Sequence, residues 1–233
     1  MRRPDLSGCA ALVTGGARGL GAGVAAALAE AGAAVVVADV REDLGRATAD
    51  ALKQTGAIAT FVRLDVTDDA SWERAVGETI GELGGLDVVV NNAGVWISGL
   101  LADLDPAEVR RMLDVNVLGT ALGIKHAFRA MRPGGPAGNG GAVVNIASAA
   151  ATVALPGIAG YSATKSAVDR LTRVAATEAG KLGYDVRVNC VYPGLEPTAQ
   201  GTRLTTDAVV FLASDAARFV TGAGLPVEGG LDT

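Results

Sequence analysis

Two side chains one helical turn apart form the arrangement in this sequence that is best suited to proton transfer. Tyr161 and Lys165 enclose the segment YSATK, and a separation of four residues places a phenol and an ammonium group on one face of a helix. A neighbouring cation stabilises the tyrosinate anion, so we expect the pKa of the phenol to be lowered from about 10 towards neutrality. Such a tyrosine gives a proton to a carbonyl oxygen or removes one from an alcohol. The alternative is that Tyr161 and Lys165 are an ordinary pair of side chains on an amphipathic helix.

A serine, Ser148, follows the apolar segment Ala142–Ala147, which is typical of a buried strand. In open α/β sheets, ligands bind at the carboxyl ends of the strands. The hydroxyl of Ser148 is therefore a candidate to hydrogen-bond the same substrate oxygen as Tyr161. Its alternative role is to cap a helix or a turn.

A glycine-rich turn, TGGARGLG over Thr14–Gly21, follows the first apolar strand and precedes an alanine-rich helix. Its glycines let the backbone approach a pyrophosphate, and the helix N-terminus offers free N–H groups to an anion; a purely structural turn is the alternative. Asp39 ends the second strand, where a carboxylate accepts hydrogen bonds from the ribose hydroxyls of adenosine. A carboxylate there repels a 2′-phosphate, so we expect NAD(H) rather than NADP(H), although Arg18 or Arg41 would be able to pair with such a phosphate.

The elements that position these groups alternate between apolar strands and longer helices. Nearly continuous apolar strands are typical of parallel sheets covered by helices on both faces. The alternation predicts a single α/β domain over residues 1–233, a Rossmann-type doubly wound parallel sheet of about seven strands. We predict strands at Ala10–Thr14, Ala34–Asp39, Ile58–Asp65, Asp87–Asn91, Ala142–Ala147 and Val186–Val191. We predict helices at roughly Leu20–Ala31, Glu42–Thr55, Asp69–Leu83, Pro106–Met131 and Gly160–Leu182.

The composition narrows the function classes. The 233 residues are 49% hydrophobic and 19% charged, which is enough apolar material to bury a core. The formal charge of −5 gives no sign of a basic surface for nucleic acid. Cys9 and Cys190 lack the spacing of a disulfide framework, and the acidic residues show no metal-ligand spacing. Because we find no signal peptide and no long apolar run, we expect a cytoplasmic protein with no metal and no membrane partner.

Taken together, these motifs resemble those of the single-domain short-chain dehydrogenase/reductase family, from about Leu6 to Gly230. A set of motifs in the family's order, each on its expected element, is highly specific. The resemblance implies an NAD(H)-dependent oxidoreductase that interconverts a secondary alcohol and a ketone by hydride transfer. The matching pieces are TGGARGLG, Asp39, Asp65-Val66, NNAG (Asn91–Gly94), Asn116 within LDVNVLGT, Ser148, YSATK, Pro193-Gly194 and the closing TGAGLPVEGG.

The resemblance also implies a role for each matching residue. Tyr161 is implied to be the general acid/base, Ser148 to orient the substrate oxygen, and Lys165 to bind the nicotinamide ribose and tune Tyr161. Asn116 is implied to hold a water in a proton relay to Lys165, with a helix kink or a core amide as the alternative. The implied catalytic set is Asn116, Ser148, Tyr161 and Lys165. The implied cofactor-binding set is Gly15, Arg18, Gly19, Leu20, Gly21, Asp39, Asp65, Val66, Asn91, Ala93, Gly94, Tyr161, Lys165, Pro193, Gly194 and Thr198.

Some of these residues carry finer expectations. Asp65 and Val66 are implied to flank the adenine. Asn91 is implied to line the cofactor cleft, or else to bridge adjacent strands. The hydroxyl of Thr198 is implied to meet the carboxamide of the nicotinamide. Trp96 follows NNAG on a loop at the same end of the sheet, where it either contacts substrate or simply packs.

The sequence departs from the family pattern after Pro193-Gly194. Only residues 195–207 precede the apolar segment that starts at Ala208, where the family usually has a longer, mobile helical lid over the substrate. Either the lid is truly shortened, or residues of a disordered loop near Arg203–Asp207 are missing from the sequence as written; we favour the second explanation. Glu196 is also unusual, because the family prefers Ile or Val at this position.

Three functions remain open at this point. The first is an NAD(H)-dependent alcohol or hydroxysteroid-type dehydrogenase. The second is a 3-oxoacyl-thioester reductase, which more often uses NADP(H) and is disfavoured by Asp39. The third is a nucleotide-binding scaffold without turnover, which the acid/base residues disfavour. The resemblance further implies a homotetramer, with a dimer as the alternative, formed by the helices at Pro106–Met131 and Gly160–Leu182 with a contribution from the tail Thr221–Gly230.

Overall fold

Short runs rich in valine form the strands, because β-branched side chains pack well on a pleated surface that is buried on both faces. In the computed structural model, which describes residues 4–194 and 199–231, seven such runs form one sheet. The strands are β1 Ala10–Thr14, β2 Ala34–Asp39, β3 Ala59–Arg63, β4 Val88–Asn91, β5 Gly141–Ile146, β6 Val186–Pro193 and β7 Gly224–Val227.

Helices fill the connections between successive strands. Local sequence sets the ends of the third helix: the Asp68 carboxylate accepts hydrogen bonds from the N–H groups of Ala70 and Ser71, and Gly84 ends the helix in a left-handed conformation with φ +78°. The helices are α1 Gly19–Glu30, α2 Glu42–Gln54, α3 Asp69–Leu83, α4 Pro106–Met112, α5 Gly119–Met131, α6 Ala159–Leu182 and α7 Ala199–Ala213.

The sheet is parallel throughout, in the order β3-β2-β1-β4-β5-β6-β7. The chain builds outward from β1 to β3 and then returns to place β4 on the other side of β1. This reversal makes the carboxyl ends of β1 and β4 the point where a ligand cleft is expected. The predicted doubly wound parallel sheet is confirmed.

A separate apolar core covers each face of the sheet. On one face, Val24 and Leu28 of α1 pack with Leu212 of α7 against the strands. On the other face, the core includes Trp72 of α3 and Met131 of α5, both with no exposed surface. Within residues 4–194 and 199–231, none of the helices has the combined length and apolar character that a membrane span requires.

The predicted boundaries agree with the structure to within one or two residues for most elements. The helix predicted at Pro106–Met131 contains a π-helical segment, Leu113–Leu118, between α4 and α5. The tail Thr221–Gly230, predicted only to serve assembly, contains β7 and so contributes to the sheet itself. Residues 203–207, the predicted place of a missing loop, lie within α7. Both explanations of the short segment, of which we favour the missing residues, remain predictions.

Buried amide groups connect two central strands to the long helix α6. Nδ2 of Asn91 on β4 donates to Oδ1 of Asn145 on β5 at 2.8 Å. Nδ2 of Asn145 in turn donates to Oγ1 of Thr172 on α6 at 2.9 Å. Because buried polar groups are costly unless they are paired, this chain of hydrogen bonds favours one relative position of β4, β5 and α6.

Gly123 of α5 packs directly on this amide chain, which gives a stability prediction. A Cβ at position 123 would lie 2.0 Å from Oδ1 of Asn91, so Gly123→Ala must displace the Asn91 side chain. We expect a loss of about 1 to 3 kcal/mol in the free energy of unfolding, measured by urea denaturation.

The control is Gly77→Ala on α3, where no atom lies within 4 Å of the added Cβ. Alanine is the better helix former, so this variant should gain about 0.5 to 1 kcal/mol. Equal effects of the two substitutions would contradict the tight contact at Gly123.

Candidate active site

Two adjoining cavities lie at the carboxyl ends of the strands. The larger has a volume of about 640 Å³ and extends from the glycine-rich turn past the ends of β2 and β3. The smaller, of about 190 Å³, contains Ser148, Tyr161 and Lys165. Both cavities are lined by Leu20, Asn92, Gly94 and Val95. A ligand that fills the larger cavity can therefore reach the reactive side chains of the smaller one.

The glycine-rich turn forms a cradle for an anion. Gly15 and Gly19 have φ of +63° and +57°, a backbone conformation that side chains disfavour. A Cβ on Gly21 would lie 2.1 Å from the carbonyl oxygen of Gly15, so only glycine allows this close turn. No described side chain caps the N-terminus of α1, and its first N–H groups remain free for a phosphate. The turn thus fits the pyrophosphate of a dinucleotide.

Asp39 presents a carboxylate in the larger cavity. Its Oδ2 accepts the N–H of Ala17 at 3.2 Å and its Oδ1 accepts the N–H of Arg41 at 2.9 Å. These bonds hold the carboxylate at the edge of the phosphate cradle, and each oxygen keeps a further lone pair for a ribose hydroxyl. Arg18 and Arg41 line the same cavity.

Thr14 and Asn92 connect the ends of β1 and β4 at this point. Nδ2 of Asn92 donates to the carbonyl oxygens of Thr14 at 2.9 Å and Gly15 at 3.2 Å. Oγ1 of Thr14 accepts the N–H groups of Asn92 and Ala93, both at 3.0 Å. Sequence reasoning missed Asn92, although its place in NNAG directly after a strand was a usable signal.

Ser148 and Lys165 make specific contacts at the reactive end. Oγ of Ser148 accepts the N–H of Ala150 at 3.1 Å, so Ser148 caps a short turn and also lines the smaller cavity. Nζ of Lys165 donates to the carbonyl oxygen of Ile146 at 2.7 Å and lies 5.7 Å from the centre of the Tyr161 ring. The predicted placement of the phenol and ammonium groups on one side of α6 agrees with this geometry.

Burial opposes charge on both Tyr161 and Lys165. It raises the pKa of Tyr161 above the usual value, and the hydrogen bond with Ser148 opposes this only in part. It also lowers the pKa of Lys165 to about 8. The expected lowering of the tyrosine pKa is therefore wrong for this arrangement, because desolvation of the phenol dominates and the ammonium group is directed to Ile146.

Asn116 is buried in the π-helical segment rather than open to either cavity. Its Oδ1 accepts the N–H of Val95 at 2.8 Å, and its Nδ2 donates to the carbonyl oxygen of Val95 at 2.9 Å and to Oγ1 of Thr164 at 3.0 Å. This bonding holds the loop after NNAG against α6. It matches the core-amide alternative, and a water relay through Asn116 stays a prediction.

Comparisons with known proteins identify the family to which the chain belongs. Residues 9–208 match the family model described as short chain dehydrogenase. The chain belongs to the short-chain dehydrogenase/reductase family. It is 41% identical to trans-4-hydroxycyclohexanecarboxylate dehydrogenase of Sinomonas cyclohexanicum, over 94% of this chain and 91% of that protein. It is 38% identical to a 3-alpha-(or 20-beta)-hydroxysteroid dehydrogenase of Mycobacterium tuberculosis, over 97% of this chain and 90% of that protein.

Solved structures agree with this family membership. A short-chain type dehydrogenase/reductase from Mycobacterium marinum superposes with a TM-score of 0.90 at 34% identity, over 97% of this chain and 96% of that one. The chain is accordingly an oxidoreductase that acts on CH–OH donors with a nicotinamide nucleotide.

The structure collects most of the predicted site residues of this dehydrogenase in the two cavities. The larger is lined by Gly15, Arg18, Gly19, Leu20, Gly21, Asp39, Asp65, Val66, Ala93 and Gly94. The smaller is lined by Ser148, Tyr161, Lys165 and Pro193, together with Leu20 and Gly94.

Other predicted residues lie elsewhere, and the cavities contain residues that the motifs did not indicate. Asn91 bridges β4 to β5, Asn116 binds Val95, and the N–H of Gly194 donates to Val227 at 3.1 Å. Thr198 lies outside the described residues. The lining residues that were missed are Asn92, Val40, Leu64, Thr67, Val95, Arg111, Val115, Ile146 and Ala147. Within the described ranges, no group of three His, Cys, Asp or Glu side chains is placed to hold a metal.

The buried amine of Lys165 gives a pH prediction for stability. Its pKa is about 8 in the folded chain, against a usual value of 10.5. Between these pH values the unfolded chain holds a proton that the folded chain has released, so the free energy of unfolding rises with pH. Relative to Lys165→Met, the wild type should gain about 2 kcal/mol between pH 8 and pH 10 in urea unfolding.

The matched control is Lys53→Met, because Lys53 is an exposed lysine on α2. This variant should keep the pH dependence of the wild type. A Lys165→Met variant whose unfolding free energy follows the wild type over the same pH range would contradict the burial of a neutral amine.

Proposed function

We propose that this dehydrogenase is NAD(H)-dependent and interconverts a secondary alcohol and a ketone, with Tyr161 as the general acid/base. The observation that carries the proposal is the position of Tyr161, Ser148 and Lys165 in a cavity that adjoins the dinucleotide-sized cavity through Leu20 and Gly94. A pure nucleotide-binding scaffold has no need of an acid/base group at this position.

The chain's own residues manage the proton. Ser148 donates a hydrogen bond to the substrate oxygen and fixes it beside the phenol of Tyr161. During oxidation, Oη of Tyr161 takes the hydroxyl proton as the C–H electron pair leaves the carbinol carbon; during reduction, it returns that proton. Lys165 lies 5.7 Å from the centre of the Tyr161 ring, and in this proposal its protonated form offsets part of the cost that burial imposes on the tyrosinate. The bound nicotinamide supplies the hydride acceptor or donor.

Asp39 supports the choice of NAD(H). Its buried carboxylate lines the larger cavity beside the glycine-rich turn, where it accepts ribose hydroxyls and repels a 2′-phosphate. Arg18 and Arg41 line the same cavity, and either would be able to pair with such a phosphate. The carboxylate also disfavours the alternative of a 3-oxoacyl-thioester reductase that uses NADP(H).

The reported relatives support a ring-bearing substrate. One is named for a hydroxycyclohexanecarboxylate and the other for a hydroxysteroid, and both names describe a hydroxyl on an alicyclic ring. We therefore extend the proposal to a cyclic secondary alcohol.

For the assembly and location of the protein, we keep the expectation from the sequence. We propose a homotetramer, with a dimer as the alternative, in which exposed apolar side chains such as Val174 and Leu182 of α6 pack against a second copy. Light scattering of the purified chain separates the two states. A cytoplasmic location stays a prediction from the sequence.

Tyr161→Phe tests the acid/base role. Removing the phenolic oxygen should lower kcat for a cyclic alcohol by about 10² to 10⁴-fold, because the proton acceptor is lost. NADH affinity, measured by fluorescence titration, should change little. Tyr184→Phe, on a tyrosine that packs against Phe128, is the control and should keep normal turnover. Comparable activity in Tyr161→Phe would contradict the assigned role.

Asp39→Asn tests the cofactor preference. The amide keeps a hydrogen-bond acceptor but removes the charge that repels a 2′-phosphate. The ratio of kcat/KM for NAD⁺ to that for NADP⁺ should fall by about tenfold or more. Asp50→Asn on the exposed face of α2 should leave this ratio unchanged. A wild-type enzyme that prefers NADP⁺ would overturn the assignment of Asp39.

A further inference from the structure

One aromatic side chain extends into solvent at the mouth of the smaller cavity. Trp96 is 57% exposed, yet it lines the cavity that contains Ser148 and Tyr161. Its ring is stacked on the ring of Tyr161, with centroids 5.4 Å apart and planes 21° from parallel. An exposed indole beside a reactive group has a large apolar surface that an apolar ligand can cover.

The loop that carries Trp96 is held at both ends. The N–H and carbonyl groups of Val95, the preceding residue, are both hydrogen-bonded to the buried side chain of Asn116. Further along, the N–H of Gly99 donates to the carbonyl oxygen of Gly157 at 2.8 Å. These bonds hold the loop of Trp96 in place. Less conformational entropy is therefore lost when a ligand packs on the Trp96 ring.

Two exposed leucines lie on the loops that the bond between Gly99 and Gly157 joins. Leu100 follows Gly99, and Leu155 precedes Gly157 by two residues, so the bond between the two glycines brings their loops together. The side chains are 59% and 42% exposed. We call Trp96, Leu100 and Leu155 the apolar rim.

Of the rim residues, Trp96 forms part of the wall of the smaller cavity. The loop after β4 carries Trp96 and the segment after β5 carries Ser148, and both residues line the smaller cavity.

We propose that the apolar rim, with Trp96 as its main contact, determines specificity for a cyclic secondary alcohol. The hydrocarbon ring packs on the indole while Ser148 and Tyr161 hold its oxygen. A compact ring covers a flat aromatic face with fewer rotatable bonds than an open chain, so the rim favours cyclic over acyclic alcohols. This assignment rests on the proposed alcohol oxidation.

Steady-state kinetics with cyclohexanol and propan-2-ol test the rim. In Trp96→Ala, the ratio of kcat/KM for cyclohexanol to that for propan-2-ol should fall about tenfold, mainly through KM for cyclohexanol. Trp96→Phe keeps an aromatic face and should stay within about threefold of the wild-type ratio. Phe219→Ala removes a fully exposed aromatic ring elsewhere and should leave the ratio unchanged.

Two kinetic results would overturn the proposal. One is a Trp96→Ala variant that keeps the wild-type ratio of kcat/KM for cyclohexanol to kcat/KM for propan-2-ol. The other is an equal loss of kcat for both alcohols at unchanged KM, because this would mean that Trp96 only positions the Tyr161 ring.

Fluorescence gives a readout that does not depend on turnover. The chain has two tryptophans; Trp72 is fully buried and donates from Nε1 to the carbonyl oxygen of Val66, whereas Trp96 is exposed. Acrylamide should therefore quench mainly Trp96, and Trp96→Phe isolates the Trp72 signal. Cyclohexanone with NAD⁺ should protect Trp96 from quenching, whereas acetone at the same concentration should not.

The quenching and the kinetic measurements test the role of the rim and the proposed reaction separately. Protection by cyclohexanone without oxidation of any alcohol would support the rim and contradict the proposed function. Oxidation of cyclohexanol with unprotected Trp96 would support the function and overturn the rim.

Discussion

Because all seven strands run in the same direction, their carboxyl ends meet along one edge of the sheet. Residues far apart in the sequence are brought together there: the turn after β1, Asp39 at the end of β2, NNAG after β4 and Ser148 after β5. The long helix α6 then places Tyr161 and Lys165 against the same edge. Every function considered above depends on this shared direction, since one antiparallel strand would carry its terminal residue to the opposite edge.

Buried polar groups hold this edge in a single arrangement. The side chains of Thr14 and Asn92 connect β1 to β4, and Asn91 connects β4 to β5. Asn116 connects the loop after β4 to α6 through Val95 and Thr164. Each of these groups would be costly to bury unpaired, so a shift of one element breaks several hydrogen bonds at once. The apolar cores stabilise the fold, and these amides and hydroxyls set the distances between reactive groups.

The sequence predicted the features that depend on periodicity and local motifs, and it was weaker where tertiary packing decides. Apolar runs located six strands, but β7 is short and follows glycine-rich chain, so its pairing with β6 was not evident. The π-helical turn around Asn116 has no signature in the helical pattern, and the hydrogen bond of Asn116 with Val95 joins residues 21 positions apart. The spacing of Tyr161 and Lys165 placed them together correctly. Spacing does not indicate desolvation, however, and desolvation raises the pKa of the phenol where we expected it to be lowered.

The same distinction explains why the chemistry is easier to infer than the substrate. Ser148, Tyr161 and Lys165 follow or lie on regular elements whose positions the sheet dictates, so their order in the sequence maps onto one geometry. The proposed substrate contacts lie on the loops that carry Trp96 and Leu155, and no hydrophobic period fixes where such loops lie. Their positions depend on single contacts such as the bond between Gly99 and Gly157. Changes in these loops alone can therefore alter which alcohol is accepted while the reactive groups stay the same.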